Sequence, residues 1–226
     1  KKNIVNHIIY YLQNFDDNED MMHTVIKGPP GVGKTMLAKI IGDIYINLGV
    51  IKTSFRDHRF EEYRNRYSFK IAKRSDLIGR YLGETAIKTQ EFIDSCYGGI
   101  MFIDEAYSLG NEEGRDSFSK ECIDTINQNL TEKKGQFVVI IAGYERDLES
   151  CFFSYNEGLK RRFPFRYDIS PYKFDELGEI FLKKVNMFDW KLDENLKIEK
   201  DNKLYNFFES NYDNFKNYGG DMETLL

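Results

Sequence analysis

Apolar positions along this chain follow two rhythms, one helical and one unbroken. Ile4, Ile8, Tyr11, Leu12 and Phe15 recur at helical spacing, so residues 3–15 predict an amphipathic helix ended by the acidic turn 16–20. The run His23, Thr24, Val25, Ile26 then reads as a strand, and 36–48 returns to a helical pattern. Residues 51–67 are dense in arginine and acidic side chains and read as a charged insertion or a solvated helix. Residues 68–72 form a short strand, and 76–85 lead through a loop into a helix ending near Cys96. Residues 100–103 and 137–142 are continuously apolar, as strands buried on both faces are. Between them, 116–130 places Phe118, Cys122, Ile126 and Leu130 on one helical face, and 165–169 supplies a last strand. Beyond Pro171 the pattern is helical through Leu177, Ile180, Phe181 and Val185, and Gly219-Gly220-Asp221 marks a turn and a further helix start. Strands alternating with helices predict a parallel α/β three-layer sandwich over residues 1–171, followed by a small helical lid over 172–226.

The first strand runs into Gly28-Pro29-Pro30-Gly31-Val32-Gly33-Lys34-Thr35, which fits G-x-x-x-x-G-K-[ST] in full. In a strand-to-helix turn this is a phosphate cradle: glycines let successive backbone N–H groups face an anion, and the helix adds its positive end. Lys34 is expected to reach the β- and γ-phosphates, and Thr35 to offer its hydroxyl to a Mg²⁺ ion bridging them. Asp104-Glu105 ends a buried strand, where open α/β sheets place their ligands. Asp104 is therefore expected to be the second anchor of the metal, and Glu105 to orient or deprotonate water. A nucleoside triphosphate and Mg²⁺ are the ligands this pattern calls for.

Composition narrows the setting. The 226 residues are 41% hydrophobic and 31% charged, enough apolar surface for a core. Net charge −5 and a pI near 5.4 give no global footprint for nucleic acid. Cys96, Cys122 and Cys151 are far apart and odd in number, which suits reduced thiols in the cytoplasm. No apolar run approaches the ~20 residues of a spanning helix. A start at Lys1 points to a fragment of a longer chain.

Residues 28–35, 76–89 (DLIGRYLGETAIKT), 100–109 (IMFIDEAYSL), 138–144 (VVIIAGY) and 156–165 (NEGLKRRFPF) together resemble an AAA+ ATPase module. Within that superfamily they resemble the subgroup of red-type rubisco activase and stage V sporulation protein K. The resemblance implies a homo-oligomeric, hexameric ring that couples ATP hydrolysis to remodelling a client through a central pore. It implies nucleotide contacts from Gly28 through Thr35 to Met36, and a client-gripping pore loop at Tyr81-Leu82-Gly83. It also implies an arginine reaching a neighbour's site, with Arg162 aligning first and Arg161 second. The γ-phosphate sensor falls on Tyr144, where the wider superfamily has Asn or Thr. A second sensing arginine is not found in residues 219–224. The aromatic loop and the acidic pI favour a protein client, and a nucleic-acid-associated ATPase of loader or helicase type is the alternative. A nucleotide-gated module without turnover would not need Glu105.

Overall fold

The computed structural model describes Val5, Ile9 and residues 21–51, 68–81, 83–113, 115–188, 190, 198–199 and 202–226. Val5 and Ile9 are helical; otherwise the N-terminal helix expected over 3–15 and the charged segment 52–67 lie outside the described residues, as does Leu82.

Five parallel strands make one sheet: β1 (Thr24–Lys27), β2 (Phe69–Ala72), β3 (Ile100–Ile103), β4 (Val138–Gly143) and β5 (Phe165–Asp168), in the order β2-β3-β4-β1-β5. The central strands β3 and β4 are buried throughout, which is why their sequences are unbroken runs of Ile, Val, Met and Phe. One face packs around Met101, Ile103, Val139 and Ile141, under α3 (Glu84–Asp94) and α4 (Ser117–Glu132). The other packs around Ile26, Phe102, Ile140 and Ala142, against Ala38, Ile41 and Tyr45 of α1 (Lys34–Asn47). Two dry layers on a parallel sheet are the expected three-layer sandwich.

Short helices fill the edges: α2 (Arg74–Leu77), α5 (Glu145–Cys151) and α6 (Leu159–Arg162). After β5, the helices α7 (Phe174–Met187), α8 (Lys203–Ser210) and α9 (Gly219–Thr224) gather around Leu177, Phe208 and Met222 in a core of their own.

Register decides where chemistry can occur. Lys27 lies beside Gly143 on one side and Asp168 on the other, and Ile103 lies beside Ile141. The loops leaving β1, β3 and β4 therefore emerge together at the carboxyl edge of the sheet.

Candidate functional site: a phosphate loop facing an acidic pair

The loop between β1 and α1 bends through two glycines with positive φ, Gly31 at 70° and Gly33 at 85°. An L side chain is strained there, and at Gly31 a Cβ would also stand 1.7 Å from the Asn217 carbonyl oxygen. Glycine is thus required twice, once for the curl and once for a close approach by the helical lid. The Gly219 N–H donates to the Gly31 carbonyl at 3.0 Å, and the Tyr172 hydroxyl donates to the Val32 carbonyl at 2.9 Å. With those carbonyls turned towards the lid, the amides of the loop are left to face the other way, as a phosphate cradle requires.

Lys34 opens α1 and donates to the Gly28 and Pro29 carbonyls at 3.0 and 2.8 Å. Burial draws its ammonium below the usual lysine value, against the opposing pull of Asp104 and Glu105. Its Nζ also lies 5.4 Å from the centre of the Tyr144 ring, a cation–π contact. Tyr144 thus stands beside the phosphate-loop lysine.

The Thr35 hydroxyl approaches Asp104 Oδ2 at 3.4 Å, so the two oxygens expected to hold a metal converge. Both are hard donors. A hydroxyl and one carboxylate, with the remaining positions left to water and phosphate oxygens, suit Mg²⁺. Among the described residues no group of three or more His, Cys, Asp or Glu could cage a metal without such a partner. Asp104 Oδ1 accepts from the Glu105 N–H at 3.0 Å, and Glu105 itself adopts a left-handed backbone, φ 51° and ψ 47°. That conformation is strained for a residue with a side chain, and Glu105 is exposed at the strand end.

The chain passes from this edge to two more candidate groups. Tyr81 is 71% exposed, and the Glu84 carboxylate fixes its loop by accepting from the Arg80 and Tyr81 N–H groups at 3.0 and 3.2 Å. Gly83 closes that loop at φ 86°. On α6, Arg162 is tethered: its Nε donates to Thr131 Oγ1 at 2.8 Å and its guanidinium donates to the Gly158 carbonyl at 2.8 Å. Arg161, beside it, is exposed.

Residues 24–170 match the ATPase family associated with various cellular activities (AAA). The chain belongs to this family. Nucleotide binding comes with that membership. The sequence is 44% identical over 227 residues to a putative cfxQ-like protein of Acanthamoeba polyphaga mimivirus, covering 100% of this chain and 52% of that protein. It is 37% identical over 180 residues to stage V sporulation protein K of Bacillus subtilis, covering 80% of this chain and 51% of that protein. The crystal structure of the FIGL-1 AAA domain in complex with ADP aligns with a TM-score of 0.49 at 19% identity, covering 74% of this chain and 49% of that one. The chain spans about half the length of the curated relatives it matches.

Three residues that pack around the candidate site were not singled out from sequence. Tyr107 stacks on Tyr144 with ring centroids 5.8 Å apart and planes 24° apart, an encounter between residues 37 positions apart that no local pattern encodes. Arg74 donates to the Ser108 carbonyl at 2.7 Å and pairs with Asp116 at 2.9 Å, tying α2 to the segment after Glu105 and to the start of α4. Tyr172 is the third; its place just after Pro171, where a boundary is expected from sequence, was the one available hint.

Proposed function

We propose that this AAA module hydrolyses ATP with Mg²⁺ in a ring of identical subunits and uses the cycle to remodel or unfold a protein client. The observation that carries the reading is the convergence of Thr35 and Asp104 beside a full phosphate loop, with Glu105 next in the chain. Thr35 and Asp104 would hold Mg²⁺, which when bound would supply positive charge against the charge building on the phosphate oxygens. The loop amides and Lys34 hold the phosphates. Glu105 accepts a proton from the water whose oxygen bonds to the γ-phosphorus as the bond to ADP breaks.

Arg161 and Arg162 supply the charge in trans. Arg162 would exchange two hydrogen bonds to neutral oxygens for charge-assisted bonds to a neighbour's phosphate, a favourable trade. Tyr81 grips the client, its exposure being unexplained by packing within the subunit. Residues 1–171 form the ATP-binding domain and 172–226 the lid.

Replacing Lys34 by Ala should abolish ATP binding. Glu105→Gln should bind ATP with near-normal affinity and lose ~10²–10⁴ in rate. Normal turnover in Glu105→Gln would end this assignment. The same variant holds client, so what co-purifies with it in the presence of ATP identifies the client class, and recovery of nucleic acid in place of protein would overturn the client reading.

A further inference from the structure

We infer that Arg74 is a positioning residue for hydrolysis: it clamps the turn that follows Glu105, keeps that residue in its strained backbone and so fixes the direction in which the carboxylate leaves the chain. The inference rests on the hydrolytic reading above and adds to it a residue outside the phosphate loop and the acidic pair. Among the described residues only Glu105 and Tyr218 carry a side chain at positive φ, and Glu105 stands at 51°. Such a backbone persists only where its surroundings over-determine it, because relaxation to the right-handed or extended region is downhill. That relaxation would swing the Cα–Cβ bond and the carboxylate with it. A general base so displaced is poorly placed to meet the attacking water.

Glu105 is restrained from both sides. Upstream, Ile103 is fixed in the sheet between Ala72 and Ile141, and the Glu105 N–H donates to Asp104 Oδ1 at 3.0 Å. Downstream, the Ser108 N–H donates back to the Glu105 carbonyl at 2.7 Å, closing the one-turn 3₁₀ segment Ala106–Leu109. Its end residues Ala106 and Leu109 are fully buried, whereas Ser108 is half-buried and its carbonyl accepts from Arg74 Nη1 at 2.7 Å. Arg74 is itself anchored: Nη2 pairs with Asp116 Oδ2 at 2.9 Å and Nη1 reaches Ser119 Oγ at 3.3 Å. The fully buried Ser119 hydroxyl in turn donates to Asp116 Oδ2 at 2.6 Å, and Asp116 caps α4. A rigid fork is what this place needs, since one guanidinium holds a carbonyl and a carboxylate at once where a lysine ammonium is a single point charge. The strained residue is thereby tied to the start of α4 through Ser108, Arg74 and Asp116, each link a hydrogen bond or an ion pair.

Arg74→Met is the test, made in an Asp116→Asn chain so that no carboxylate is left without its partner while Asn keeps the cap. Relative to Asp116→Asn alone, kcat should fall about tenfold, the scale of one hydrogen bond from a charged group, with KM for ATP and affinity for ADP unchanged. In a Glu105→Gln background the further loss should vanish, since Arg74 acts through that carboxylate. An unchanged kcat, or the same fractional loss in both backgrounds, would overturn the inference while leaving the hydrolytic reading intact. Should Arg74→Met not fold, Arg74→Lys in the otherwise wild-type chain carries the same measurement, because it keeps a charge beside Asp116 and loses the fork. If the wild-type chain turns over no ATP, the hydrolytic reading fails by itself, and the clamp is decided by stability. Glu105→Gly relieves the strain, so it should raise the urea midpoint of the Asp116→Asn chain, and raise it less once Arg74→Met has let the backbone relax. Equal rises would remove the clamp.

Discussion

His23, at 2% exposure, is enclosed between the Phe137 and Phe163 rings. The Val139 N–H donates to its Nδ1 at 3.0 Å, so that nitrogen must be unprotonated and the neutral imidazole suits the site. Burial is the main cause that lowers its pKa from 6.5 to about 4, and the nearby charge of Arg162 adds to it. Below pH 6.5 the unfolded chain takes up a proton that the folded chain refuses until about pH 4. Stability from this residue is therefore complete above pH 6.5 and lost as the pH falls towards 4, by about 3 kcal/mol. Urea midpoints at pH 7 and pH 4.5 check it: the drop should be smaller in His23→Asn than in wild type. Asp116 shifts stability with the same sign, although there the fold favours the charged form. Its carboxylate is held below the usual range, first by the Ser119 hydroxyl and then by Arg74, although burial opposes this, so its contribution is present at neutral pH and lost in acid.

Asp116 also caps α4, its side chain accepting from the Phe118 N–H at 3.0 Å. Asp116→Ala should cost about 1–2 kcal/mol in thermal or urea unfolding, and Asp116→Asn less, because Asn keeps the cap and loses only the ion pair. At this scale the sequence was most informative where one rule governed a whole element. β3 and β4 were legible because a strand covered on both faces tolerates nothing polar, and α4 because sixteen residues show helical periodicity plainly. The helices α2 and α5, of four and seven residues, are too short to carry a period, and they went unread. The phosphate loop and Asp104-Glu105 could be read because each is a contiguous motif bound to a strand end. Tyr107 against Tyr144, and the lid against Gly31, could not, since those contacts exist only after the chain has folded.

Two predictions concern the whole molecule. If Arg161 and Arg162 complete a neighbour's site, ATPase activity per subunit should rise with protein concentration, and Arg162→Ala should still bind ATP while losing ~10³–10⁵ in rate. A flat rate across a wide dilution series would argue for self-sufficient subunits. Gly31→Ala tests the seam between lid and phosphate loop. With no room beside the Asn217 carbonyl and an unfavourable φ, the variant should lower both the thermal midpoint and nucleotide affinity, read by calorimetry, whereas Gly49→Ala, also at positive φ but in open space, should lower only the midpoint. The seam has a mechanical corollary. Gly219 is bonded to the Gly31 carbonyl and Tyr172 to that of Val32, while the Tyr212 hydroxyl donates to the Tyr172 carbonyl, so a force tilting these C-terminal helices is delivered directly to the backbone proposed to grasp phosphate. Linkage then works in both directions: whatever factor nucleotide applies to the lid's equilibrium, a load on the lid applies to nucleotide affinity. If subunits assemble as proposed, one pulled by its neighbour should hold its nucleotide with an affinity that depends on the tension.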